Sequence, residues 1–358
     1  MRSYFTCGVF VVALAMLSSC AWNKGELAKF FNRKSSADDG QLAKVGANEE
    51  ELSKFAVSEA PPAVVAPVVN KKPTVLIPPK PRNLPVKLPT AKPPIEKLAD
   101  EKSAGDGYPP DYPEELKLVD QKAQDSWKLF KPNLNQEEKM LLDVDYLGMT
   151  VGKVVLSYRG LKMISTKPVH HFQAYFKSAP FYSAIYEIDD QLDTYVVQES
   201  FVGLRSNLVQ RESKQNVDEV QLYDREALRT TAYQKQDRKG QIKNRKWEGF
   251  IPKWSIDPLS VLWLIRGLPL KDGDRYHLPL VNKGKTLVLE ATVEAREVIK
   301  TKVGEIPAIR VRAHTQYTGK TLKSGDMTLW FTQDRSHKLV RAKAKIQIGS
   351  VFAEVAKE

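Results

Sequence analysis

From residue 140 onward, apolar and polar positions alternate in short runs, the period of two that sends one face of a strand into a core and the other into solvent. Met140, Leu142, Val144 and Tyr146 set the pattern, and Gly148 starts a turn into a second run at 151–158, so the pair reads as a hairpin. Further strands are predicted at 169–176, 194–202, 217–223 and 227–234, then at 286–299, 308–315, 327–332, 339–348 and 351–355, with a short helical turn at 178–186. In 339–348 the basic Arg341, Lys343 and Lys345 fall opposite Val340, Ala342, Ala344, Ile346 and Ile348, and Arg310 and Arg312 alternate in the same way with Ile309 and Val311. Such a pattern mainly says where the core lies.

One segment breaks the alternation. Residues 257–267, DPLSVLWLIRG, carry Leu259, Val261, Leu262, Trp263, Leu264 and Ile265 with only Ser260 and Arg266 polar between the ends, so this helix is apolar nearly all round and must be buried. Asp257 can accept a first-turn amide, Pro258 is pre-set for the first helical position, and Gly267 can adopt the left-handed conformation that ends a helix. A second helix is predicted behind Pro113, where Leu116, Val119, Ala123, Trp127 and Phe130 recur at helical spacing before Pro132. About ten strands around one apolar helix define a mainly β fold, an antiparallel, strongly curved sheet or open barrel with one buried helix.

The residues also carry a family resemblance. The order YLGMTVGK at 146–153, His171 with Phe172, Asp189 with Asp190, DPLSVLWLIRG and the run 286–299 resembles the bacterial domain of unknown function 3108 family. Gly304 in TKVGEIPAIRV, Trp330 before Asp334, and Ile348, Gly349, Ser350 and Val351 extend the likeness over residues 140–355. The resemblance implies an exported, β-rich envelope domain and supplies no catalytic residues.

Composition divides the chain. Fourteen of its 22 prolines fall between Pro61 and Pro113, and only seven lie from Met140 to Glu358, which argues for one folded domain on a long tether. Residues 1–19 read as a signal peptide: Arg2 precedes an apolar run at 7–17, shorter than the ~20 residues of a membrane-spanning helix. Leu17, Ser18, Ser19 and Cys20 resemble a lipobox, so Cys20 is the expected lipidation site, bearing acyl chains such as palmitate. With Cys7 removed, no intramolecular disulfide is open to the processed chain. Ala21 lacks the aspartate that signals inner-membrane retention in enteric lipoproteins, so the expected location is the outer membrane, lipid-anchored, with the domain facing the periplasm.

Residues 20–113 are expected to be a disordered, basic, proline-rich tether, apart from one short helical pattern at 49–55 with Leu52 and Phe55. As an extended polyproline-type spacer, 61–113 could reach on the order of 160 Å. A helical lead-in at 114–137 and a β-rich domain at 138–358 complete the expected organisation.

Candidate chemistry is mostly absent. There is no GxSxG, HExxH, P-loop or GxGxxG, so no catalytic residue, metal set or cofactor is assigned. His170 and His171 are adjacent and would point to opposite strand faces; Asp143 and Asp145 share a face and read as solvent-facing partners of Lys153 or Arg159. Asp189, Asp190 and Asp193 fall in a turn-like stretch.

A net charge of +12 favours anionic neighbours, and the basic residues concentrate in one place. Lys235, Arg238, Lys239, Lys243, Arg245 and Lys246 are interleaved with or followed by Trp247 and Trp254, a candidate contact surface for anionic envelope lipid or cell wall. Export excludes nucleic acid. The alternative is a solvated hairpin loop at 237–241 with aromatics returning to the core. The expected function is therefore a non-catalytic lipoprotein whose domain binds a lipid-like envelope amphiphile or an envelope protein, with a structural scaffold as the alternative and a hydrolase behind both. Alternation cannot say whether the interior is hollow or filled.

Overall fold

The computed structural model describes residues 34, 45–60, 107–135, 138–317, 320–345 and 349–357. The signal-type segment, Cys20 and the proline-rich stretch 61–106 lie outside them. Two N-terminal elements, α1 (Glu49–Lys54) and β1 (Val57–Glu59), precede the long helix α2 (Glu114–Leu129). The first meander follows: β2 (Lys139–Tyr146), β3 (Met149–Ile164), β4 (Lys167–Ser178), the short helix α3 (Pro180–Ser183), β5 (Asp189–Val197), β6 (Gly203–Glu212), β7 (Gln215–Asp224), β8 (Arg229–Arg238) and β9 (Gln241–Phe250). Helix α4 (Val261–Arg266) leads into the second: β10 (Arg275–Asn282), β11 (Lys285–Thr301), β12 (Gly304–Tyr317), β13 (Lys320–Thr332), β14 (Leu339–Lys345) and β15 (Ser350–Val355).

Each meander pairs its strands in chain order, and β15 pairs with β2, so the two halves make one antiparallel sheet whose ends are β9 and β10. This is the mainly β, curved and unclosed sheet that the alternation predicts. The chain leaves the sheet at the break between β9 and β10, and there it forms the buried helix.

Cross-strand register shows what each half of the concave face carries, because directly paired residues share a face. One row runs Val144, Ala353, Ala342, Leu329, Val311, Val293 from β2 back to β11, and is apolar throughout. Another runs Met140, Leu156, Ala174, Leu192, Leu208, Glu219, Gln234, Arg245 from β2 to β9. The inner face turns polar between β6 and β7.

Helix α4 lies against the apolar part. Trp263, Leu264 and Ile265 are fully buried, Trp263 stacks on Phe172 with ring centroids 4.3 Å apart, and Ser260 Oγ lies 2.7 Å from Thr194 Oγ1. Asp257 closes the turn ahead of the helix rather than capping it, its Oδ1 accepting the amides of Leu259 and Ser260 at 2.9 Å each, and the N-cap position falls on Ser260. Pro258 sits in a turn ahead of the regular helix, which begins at Val261. Gly267 departs from expectation: its φ is −86°, so no left-handed residue ends the helix. Its need for glycine is contact, since a Cβ would lie 2.3 Å from Phe130 Cε2 and 2.4 Å from the Lys131 carbonyl.

The expected tether is partly wrong. Residues 45–60 fold: α1 places Leu52, and its C-terminal cap residue Phe55, with Val45 against Val220, Leu222 and Tyr233, while β1 pairs with the end of β3. On β7 and β8 the convex face is therefore the apolar one, covered by this N-terminal segment. Strands β6, β9 and β10 were not among those predicted, and the run expected at 194–202 ends at Val197. Val340 also departs from the alternation, because a register shift between Trp330 and Phe331 turns it outward to Ile299 and Ala308 while Leu339 stays inside.

Helix α2 covers the β10 end. Ser126 Oγ accepts the His277 amide at 3.0 Å, Trp127 donates to the Ser200 carbonyl at 3.0 Å, and Asp120 accepts the Trp254 amide at 3.1 Å. Ile256 adds a parallel bridge to β10 through Pro279 and Val281.

Candidate functional site

Between α4 and the concave sheet lies a cavity of about 80 Å³ whose lining side chains are all apolar. Pro258, Leu259, Val261, Leu262 and Ile265 form its inner wall, and Leu142, Leu156, Leu192, Leu289, Met327 and Leu329 much of its outer one. Space exists because the strands opposite the helix carry alanine: Ala313 on β12, Ala342 and Ala344 on β14 and Ala353 on β15. At 10–15 Å³ for one water-sized group, the cavity has room for roughly five to eight such groups, the scale of a short alkyl segment. A volume lined this way favours hydrocarbon over water.

The polar half of the same concave face is a hydrogen-bonded network. Gln234 Nε2 donates to Glu219 at 2.7 Å, Lys283 Nζ stands 3.1 Å from Glu219, and Arg245 donates to Gln234 and Gln236 at 2.8 and 3.0 Å. Towards β5, Gln210 Nε2 donates to Asp190 and Glu212, and the Tyr186 hydroxyl donates to Glu212 at 2.6 Å. Burial pushes the Asp190 carboxyl up to about 7, with the Glu212 and Asp189 charges adding and the bonds from Gln210 and the Arg211 amide opposing. Gln221 Nε2 is buried without a partner.

The basic stretch singled out in sequence does not form one surface. Lys243, Arg245 and Trp247 lie on the concave face through their pairing with Gln236, Gln234 and Ala232, whereas Lys235 and Lys246 lie on the convex face with Asp218 and Tyr233. Arg238 and Lys239 sit at the β8–β9 turn, as the loop reading of 237–241 expects. Trp254 packs against Trp127 at 6.2 Å, away from that edge. The period of two on a strand explains the split: neighbours in sequence alternate faces.

The other candidates separate likewise. His170 points inward to Tyr158, Nδ1 to hydroxyl 2.9 Å, and burial lowers its imidazole to about 4. His171 points outward to Asp193 at 2.8 Å, beside Gln173 and Gln191. Asp143 and Asp145 are met by Lys302 at 3.1 and 2.8 Å, and Asp143 by Lys153, an ion-pair cluster. Among the described residues no group of three or more His, Cys, Asp or Glu is placed to hold a metal. Sequence reasoning missed the cavity alanines and the buried pair Arg266 with Glu138. The only signal for the alanines was small residues at inward positions of strands whose other inward residues are large.

Fold and interior define an open antiparallel sheet coiled about a buried helix, with an apolar cavity between the two. The family model described as Protein of unknown function (DUF3108) matches residues 142–356, and the chain belongs to that family. No curated protein matches it. Among solved structures, it is similar to a β-barrel-like protein of domain of unknown function DUF1849 from Brucella abortus, at 10% identity and a TM-score of 0.41, covering 61% of this chain and 95% of that one. A putative exported protein with a YmcC-like fold from Bacteroides fragilis is similar at 8% identity and a TM-score of 0.27, covering 63% of this chain and 97% of that one.

Proposed function

We propose that this protein is a non-catalytic, lipid-anchored envelope protein whose β domain holds the alkyl part of an amphiphile. The all-apolar cavity beneath α4 carries the reading, because burying hydrocarbon there gains about 25 cal/mol per Å² while no polar lining group must be desolvated. The polar row that begins two strands beyond Leu192 gives the head group hydrogen-bonding partners on the same face. The lipobox-like sequence ending at Cys20 supports anchoring in the outer membrane, and the proline-rich stretch supports a spacer between anchor and domain.

Native mass spectrometry of the full chain purified from its own envelope tests this reading. A retained alkyl-bearing molecule, released by organic solvent and absent when Ala342 is replaced by Leu, supports it. Protein with no adduct that also takes up no alkyl ligand on incubation contradicts it.

A further inference from the structure

Among the described residues, no strand pairs with the outer edge of β9. It ends the strand order, whereas β10 at the other end is covered by Ile256 and α2. The β8–β9 hairpin fixes which groups face outward. Its two turn residues, Lys239 at φ 53° and Gly240 at φ 83°, are both left-handed, and the closing pair is Arg238 with Gln241. A closing pair of this kind exchanges both backbone bonds, and bonded pairs alternate with non-bonded ones along the ladder. Gln241, Lys243 and Arg245 therefore bond to β8, while Ile242, Asn244 and Lys246 aim N–H and C=O away from the sheet. Farther along, the break is shut: a Cβ on Gly284 would lie 2.7 Å from the Glu248 carbonyl oxygen, and the Thr286 hydroxyl donates to the Phe250 carbonyl at 3.5 Å. The open edge runs over 242–246.

The open stretch itself carries charge of one sign. No acid occurs between Asp237 and Glu248, and the interval holds Arg238, Lys239, Lys243, Arg245 and Lys246. Lys246 pairs with Glu248 at 2.7 Å, but Arg245 is held by two neutral amides and Ile242 is 58% exposed. Basic side chains on an edge strand keep a second copy away, because like charges would meet across the new ladder. The same charges select a strand of opposite sign.

We propose that the β9 edge accepts an extended acidic segment of a partner protein as an added strand. Backbone bonds to Ile242, Asn244 and Lys246 would supply affinity, and Lys243 and Arg245, which share one face, would read carboxylates at alternate positions of the added strand. This reading is independent of the cavity.

The test is binding of the full chain to a labelled peptide of alternating Glu and Val, against the same peptide with Lys for Glu. The acidic peptide should bind saturably and at least tenfold more tightly than the basic one, more weakly at raised salt. Asn244→Pro removes an outward N–H and leaves the β8 ladder intact, so it should weaken binding tenfold or more with unchanged thermal unfolding. Ile242→Pro gives the same readout should that variant not fold. Lys243→Glu with Arg245→Glu, two charges on the same face, should reverse the peptide preference. Equal binding of both peptides, full binding by both proline variants, or self-association abolished by Asn244→Pro would each overturn the proposal.

Discussion

Arg266, the last residue of α4, donates from Nη2 to both carboxylate oxygens of Glu138, at 3.1 and 3.0 Å, with neither side chain more than 5% exposed. The same guanidinium donates to the Ser336 carbonyl, so one buried charge fastens the plug both to the start of β2 and to the turn before β14. Removing one partner leaves the other charge buried and uncompensated, so Glu138→Ala should destabilise the domain by about 3–5 kcal/mol. The double variant Glu138→Leu with Arg266→Met should recover most of that loss. Denaturant unfolding of the three proteins checks both outcomes; a single variant as stable as the parent would contradict the role assigned to the pair.

Gly267 should tolerate no side chain, although its backbone is right-handed. Phe130 and Lys131 pass so close that a methyl group forces the α2 end away from α4, and Gly267→Ala should cost about 1–3 kcal/mol. Truncating Phe130 to Ala in the same background should relieve part of the clash with the added methyl. Unfolding of the single and double variants, compared as a cycle, reads the coupling.

The domain was legible where the apolar face points inward and is continuous. Alternation in β2, β3, β4, β11 and β12 gave strands and inward faces, and the all-round apolar run 259–265 gave the plug. It failed where polarity is inverted. On β7 and β8, Glu219, Gln221, Gln234 and Gln236 point inward and Val220, Leu222 and Tyr233 outward, so the pattern shows strands but not which side is the core. The cover for those outward residues comes from 45–60, a segment too polar to announce that it packs. The basic cluster reads as one surface only if proximity in sequence means proximity on a face, which a strand does not give.

Asp190 should make stability pH-dependent. Its folded pKa of about 7 lies above the ~4 of an unfolded aspartate, so its contribution is fully present below pH ~4 and is lost as pH rises through about 7. Asp190→Asn removes that ionisation. The melting temperature of the parent should fall relative to the variant between pH 4 and 8, and parallel curves over that window would contradict the assignment.

Cys20→Ser should release the protein from membranes or block its processing, if the lipobox-like segment is used as proposed. Detergent-phase partitioning and intact mass report both; unchanged partitioning and mass would remove the anchor from the account.

The central claim is that the space under α4 is a binding cavity for hydrocarbon. Calorimetric titration of the full chain with 1-hexanol, whose alkyl chain matches the space, measures it, in parallel with Ala342→Leu, which fills the wall without adding a polar atom. The account predicts saturable binding with a negative heat-capacity change for the parent, and at least tenfold weaker binding for a variant that still unfolds cooperatively. Equal affinity in the two proteins, or no saturable binding by the parent, would contradict it.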